Sequence, residues 1–309
     1  MVDTDELPAP APPEPRRPSR RRVLLLLLAY AVIVAAVGVL VSAVRASEPP
    51  ATSGSAPVDG PGDASSEQRR DTNDPLRPQV QATLDPGTGA ATEAALRRNW
   101  PLIANDEFDG TAVDEALWNP YSGRTTDDVG QHVPGNLSVS DGTLKITSRG
   151  YETGGMAWNP GQLYGRWEVR ARTQPGTGYG PVVLLWPDAE DWPEGGEINF
   201  MEIPSPARGE SHFVLHYGED NSQVGTSTRG DFTQWRTYAV EWTPDHVAGF
   251  IDGQEIFRTD DAEKIPPRPM HLAIQQDIGP FGKDWIPPLD ETTPEQVQLE
   301  VDWVRIYGL

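Results

Sequence analysis

The chain has no cysteine, which removes disulfides and thiolate chemistry from consideration. It has few basic residues for its size: 25 Lys and Arg stand against 46 Asp and Glu, a formal net charge of −21. Binding nucleic acid needs a basic face, so nucleic acid is not expected as a partner. An acidic surface suits a neutral substrate and keeps an exported domain soluble. The first 99 residues contain no Trp or Phe and one Tyr, Tyr30. A packed core needs such side chains, so one folded domain is expected in the last two-thirds of the chain. No long helical period and no internal repeat appear there.

The N-terminal third carries one long apolar run, Val23–Val44 (VLLLLLAYAVIVAAVGVLVSAV). As a helix it would span roughly 33 Å, about one hydrocarbon core. Arg16, Arg17, Arg20, Arg21 and Arg22 precede it, and only Arg45 stands close behind it. The positive-inside rule places residues 1–22 in the cytoplasm as a basic tail, and the chain beyond residue 44 outside. The alternative is a cleaved signal peptide, with a site at Val44-Arg45-Ala46. Such peptides carry an apolar core of roughly 7–15 residues, shorter than this run, and a signal anchor over 23–44 is the expectation. Residues 45–97 are rich in Pro, Ser, Ala, Gly and Asp. They cannot bury enough apolar area to offset ordering entropy, which predicts a disordered linker holding the domain off the membrane. A short lead-in helix fits Thr92–Asn99, and the domain proper is expected over 98–309.

From Trp100 onward short strands dominate. Gly165–Arg172 alternates, with Trp167, Val169 and Ala171 on one face and Arg166, Glu168, Arg170 and Arg172 on the other. Tyr238, Val240 and Trp242 alternate likewise. Asp252-Gly253, between Ala248–Ile251 and Gln254–Arg258, is a type I′ hairpin signal. Val297–Tyr307 makes a final strand. The expected fold class is all-β, a sandwich or barrel.

The segment Trp192–Glu202 (WPEGGEINFME) carries the candidate chemistry. In a regular strand Glu197 and Asn199 face one way and Glu202 the other. One extra residue, a β-bulge near Phe200-Met201, returns Glu202 to the first face. Two carboxylates on one wall of a groove are what retaining glycoside hydrolysis uses, one as nucleophile and one as proton donor. Trp158, Trp186, Trp192 and Trp285 lie in Gly/Pro-rich stretches where sugar platforms commonly sit.

These residues resemble the laminarinase-like branch of glycoside hydrolase family 16, whose motif is Glu-x-Asp-x-x-Glu, often after Trp-Pro and Gly. Further matches occur in order: DEFDGTAVDEALWN (Asp106–Asn119), QLYGRWEVRAR (Gln162–Arg172), YAVEWTPD (Tyr238–Asp245) and VDWVRIY (Val301–Tyr307). The resemblance implies a concanavalin-like β-jelly-roll sandwich with a concave carbohydrate cleft. It implies Glu197 as nucleophile and Glu202 as general acid/base, with no cofactor required. His216, in HFVLHYG, matches a cleft-lining position, although a structural histidine fits there equally; Gln275 joins the substrate-binding set. Glu107 and Asp302 match positions that hold calcium in many members, and surface salt-bridge partners would look the same.

Two departures stand out. Asn199 replaces the motif's middle Asp, which implies a weaker or differently tuned enzyme. Gly180–Trp186 (GPVVLLW) lacks the usual Trp-Pro-Ala-Phe-Trp pattern, leaving Trp158, Tyr179 and Trp186 as candidate platforms. The expected function is a membrane-anchored, extracytoplasmic, monomeric endo-glycosidase acting on a β-linked polysaccharide, either a β-1,3-glucan or an envelope glycan. A cell-envelope glycan transglycosylase and a non-catalytic carbohydrate-binding module are the alternatives.

Overall fold

A computed structural model describes residues 81–83, 92–125, 128–282 and 285–309. The expected basic tail, apolar anchor and most of the linker lie outside these residues. Among the described residues no helix is long and apolar enough to cross a membrane.

Two sheets form a sandwich. The order in the first is Gln81–Thr83, Ser222–Arg229, Glu210–Tyr217, Glu197–Glu202, Tyr179–Pro187, Met270–Ile278, Gly155–Trp158, Trp118–Pro120. The second runs Gln254–Thr259, Val247–Ile251, Arg236–Trp242, Gly165–Thr173, Val297–Tyr307, Thr143–Ser148, Leu137–Ser140. Leu102–Asp106 shares the Val297–Tyr307 strand with Thr143–Ser148, pairing with its C-terminal half. Each central strand of the first sheet sends alternate residues inward. Val183, Leu185, Ile198, Phe213 and Leu215 meet Trp167, Val169, Val240 and Trp242 from the second sheet in one buried cluster. The expected hairpin forms, with Asp252 at φ 50° and Gly253 at φ 71°. A small third sheet of Gly123–Arg124, Gln131–His132 and Glu152–Thr153 stands beside these two.

The alternation expected over Gly165–Arg172 forms, but one residue of its polar face is covered. Glu168 lies on the polar face yet is fully buried, because the Ala94–Arg98 helix packs over it. Its carboxylate accepts hydrogen bonds from the backbone N–H groups of Ala94 and Ala95 and from the Tyr307 hydroxyl. Ala94 and Ala95 are themselves buried with Trp100, Phe250 and Tyr307. Order therefore begins before residue 98. The helix ends at Asn99, whose φ of 56° is a left-handed C-cap.

Candidate active site

The Glu197–Glu202 strand enters the sheet through Gly196, at φ 78°, where an added Cβ would lie 2.9 Å from Pro266. Only glycine adopts that conformation freely. Along the strand the register breaks once. Val183 pairs with Met201 and Leu184 with Asn199, so Phe200 is the extra residue. On the other side Asn199 faces Val214 and Glu202 faces His212, three residues against two. This is the expected bulge. Phe200 and Met201 both enter the core, each 1% exposed, and Glu197, Asn199 and Glu202 all line one cleft.

Asn199 is the hub of the site. Its side-chain amide lies 3.5 Å from Glu202 Oε2 and 3.5 Å from His216 Nε2, and it also donates to Glu197. His216 Nδ1 donates to Asn221 Oδ1 over 2.7 Å, which leaves Nε2 as an acceptor in the neutral ring. Burial lowers the His216 pKa and favours that neutral form. Trp192 donates to Glu197, and Trp285 Nε1 donates to Glu202 Oε1 over 2.7 Å.

Burial pushes both glutamates up to about 7, against the donors that favour their ionised forms. The charge of Glu197 raises Glu202 further, and Asp277 acts on both in the same direction. At neutral pH the pair therefore holds both an ionisable base and a carboxylic acid.

The cleft has a volume of about 1220 Å³, above the roughly 300–1,000 Å³ typical of small-molecule pockets, which suits a chain-like ligand. Val182, Leu184 and Ala273 form its apolar floor against Trp186. At the rim Trp186 and Trp192 stack with centroids 6.2 Å apart and planes 11° from parallel. Trp186 Nε1 also donates to Glu190 over 3.0 Å. Gln275 lines the cleft, with Nε2 3.2 Å from both Asp277 oxygens and Oε1 accepting from Tyr121.

Trp186, Trp192, His216, Gln275 and Trp285 are thus brought together around Glu197, Asn199 and Glu202. Trp158 borders the cleft but is 6% exposed and packs edge-on against Trp118, so it belongs mainly to the core. Tyr179 is a correction. It is fully buried with Ile278 and Val297, and its hydroxyl donates to the Gly150 carbonyl. The reason is parity: Val182, Leu184 and Trp186 face the cleft, so the odd-numbered Tyr179 points away.

Glu107 and Asp302 do not fit calcium. Glu107 receives two hydrogen bonds from Arg305, at 2.8 and 3.0 Å, and Asp302 pairs with Arg170. Calcium takes six to eight oxygen ligands, and guanidinium groups occupy both carboxylates. Among the described residues no group of three or more His, Asp or Glu could hold a metal.

Asp277, Tyr121, His132, Glu190 and His271 also line the cleft, unforeseen from the sequence. Asp277 and His271 had a usable signal, since they lie two residues after and four residues before Gln275 on one strand and so share its face. Tyr121, His132 and Glu190 arrive from loops or a short strand.

This geometry has relatives. Residues 127–305, more than half of the chain, match the family described as Glycosyl hydrolases family 16. A beta-glucanase of Rhodothermus marinus is 29% identical over 255 residues, covering 68% of this chain and 85% of the relative. Glucan endo-1,3-beta-glucosidase A1 of Niallia circulans is 23% identical, and the alignment spans 75% of this chain but 41% of that longer protein. The laminarinase structure from Rhodothermus marinus superposes with a TM-score of 0.61 at 26% identity, covering 68% of this chain and 97% of that one. The laminarinase catalytic domain from Thermotoga petrophila RKU-1 shares the fold, with a TM-score of 0.62 at 22% identity over 68% of this chain and 98% of that one. Paired glutamates on a bulged strand, lining the cleft of a jelly-roll sandwich, agree with these matches: the chain belongs to glycosyl hydrolases family 16 and is a retaining hydrolase of O-glycosidic bonds.

Proposed function

We propose that the protein is an endo-β-glucanase of laminarinase type that cleaves β-1,3-linked glucan, with Glu197 as nucleophile and Glu202 as general acid/base. The observation that carries this reading is the pair itself: two half-buried carboxyls on one bulged strand, both raised to about 7 and bridged by the Asn199 amide.

Glu202, raised by burial and by the charge of Glu197, gives its proton to the leaving glycosidic oxygen. Glu197, ionised, attacks the anomeric carbon to form a glycosyl-enzyme ester. Glu202, now a carboxylate, takes a proton from water, which hydrolyses that ester with overall retention. The apolar floor and the Trp186–Trp192 stack hold the sugar faces. No step uses a metal or cofactor.

The anchor is part of the same proposal. The apolar run 23–44, with arginines before it, tethers a monomeric catalytic domain outside the cell membrane. A tethered enzyme of this kind meets glucan near its own surface.

The test is product analysis with the full chain on a soluble β-1,3-glucan. New reducing ends with retained anomeric configuration are expected, and Glu197→Gln should lower kcat by at least about 10⁴-fold. Turnover by the Gln variant at the parental rate, or no cleavage of the glucan by the parent, refutes the assignment.

A further inference from the structure

The tryptophan at the end of the cleft is built into the catalytic pair. Phe281 and Ile286 exchange backbone hydrogen bonds of 3.0 and 3.2 Å, and Trp285 N–H donates to the Gly282 carbonyl over 3.1 Å. Ile286, 3% exposed, lies over Gly180 and fixes the chain next to Trp285. A Cβ at Gly180 would sit 2.4 Å from the Ile286 side chain, so the glycine lets Ile286 pack this closely. Gly279 N–H donates to the Gly178 carbonyl over 2.9 Å, fixing the start of the same segment.

The indole projecting from this turn has both of its resources engaged. The indole packs against the His212 ring, with centroids 4.5 Å apart at 63°, and its one N–H donor is 2.7 Å from Glu202 Oε1. The indole donor is thereby aimed at the acid/base carboxylate itself.

We propose that Trp285 is a positioning residue for Glu202: it fixes the carboxyl orientation through Oε1 and leaves Oε2 to carry the transferable proton. The inference rests on the reading of Glu202 as the acid/base. A hydrogen bond to Oε1 makes the two oxygens inequivalent, because an N–H donor cannot face a protonated oxygen's O–H. The nearest donor to Oε2 is the Asn199 amide at 3.5 Å, a weaker contact that leaves room for a leaving oxygen. The other ionisable groups acting on Glu202 are Glu197 on its own strand, His216 on the neighbouring strand and Asp277 on Met270–Ile278, while His212 is its cross-strand neighbour. None of them supplies this bond. The Trp285 donor lowers the Glu202 pKa against burial and the charges of Glu197 and Asp277.

Trp285→Phe keeps an aromatic ring against His212 and deletes the donor. The acid must be protonated to act, so loss of a donor to its carboxylate moves the alkaline limb of kcat/KM upward. The expected shift is about one pH unit, with KM within about twofold of the parent. An unmoved limb with a several-fold higher KM would mean a sugar platform and overturn the proposal. Thermal unfolding checks that the variant folds. If it does not, His212→Ala, which removes the ring that holds the indole, should shift the limb in the same direction by a smaller amount, and no shift counts against the proposal. A second readout is independent of turnover: the Glu202 carboxyl infrared band, titrated in the parent and in Trp285→Phe, should show the same upward shift. If the parent cleaves no glucan, the functional reading fails, and this titration still decides the role of Trp285.

Discussion

Asn199→Asp restores a carboxyl between two others, and the distances set its consequences. The new oxygen takes the place of an amide nitrogen now 3.5 Å from Glu202 Oε2. A unit charge there, at an effective dielectric of about 20, interacts by about 5 kcal/mol, an upper limit because the new Asp itself takes up part of the proton. The documented range for carboxyls sharing a site supports a rise of about 1–2 pH units for Glu202. With Glu202 starting at about 7, roughly a tenth of it is protonated at pH 8. The shift raises that fraction to between about half and nine-tenths, so kcat/KM at pH 8 should rise about five- to tenfold. The amide's hydrogen bonds to Glu197 and His216 change as well, so the acid limb is measured in the same experiment. The assay is a kcat/KM profile from pH 4 to 10 on soluble β-1,3-glucan for parent and variant. An alkaline limb that moves by less than about 0.3 unit, with unchanged turnover, refutes the reasoning and makes Asn199 a neutral replacement.

Three further predictions come from other parts of the structure. Arg208 is fully buried, has no carboxylate partner among the described residues, and donates to the carbonyls of Gln174, Tyr179, Ile203 and Ser205. Arg208→Met should cost about 3–5 kcal/mol by stranding these acceptors, a Tm loss of about 6–20 °C, and a loss under about 2 °C would contradict it. Glu168 is raised by burial from 4.5 to about 7, so the native state binds a proton more tightly than the unfolded chain. Its contribution to stability is therefore greatest below about 4.5 and is lost as pH rises through about 7, and Glu168→Gln should flatten denaturant stability across that window. An unchanged slope would show that Glu168 does not titrate there. Trp192, 41% exposed and stacked on Trp186, should act mainly in binding. Trp192→Ala is expected to raise KM about three- to tenfold on glucan, and a variant with parental KM would remove Trp192 from the platform.

Legibility from sequence differs by residue. The bulge at Phe200 is foreseeable, because period-two alternation leaves one way to put Glu197 and Glu202 on a common face. The hairpin at Asp252-Gly253 is equally local. Tyr179 is misplaced by sequence because a large aromatic in a Gly/Pro-rich stretch resembles a platform, and its strand parity emerges only from pairing with Met270–Ile278. Glu168 is read correctly as to face but not as to burial. Its place on the polar face is right, but a helix some 70 residues earlier in the chain covers that face.

What the sequence by itself determined is the set of short-range regularities: alternating strands, the turn residues, the spacing of the two glutamates, and the uneven composition that separates an apolar run and linker from an aromatic-rich domain. Tertiary structure alone decided what each polar group faces. The Trp285 donor on Glu202, the arginines on Glu107 and Asp302, and the Asp277–Gln275–Tyr121 chain join residues as much as 198 positions apart. Strand order sets those encounters, and it is fixed by which apolar faces bury together over the whole domain, so no local window of sequence contains it.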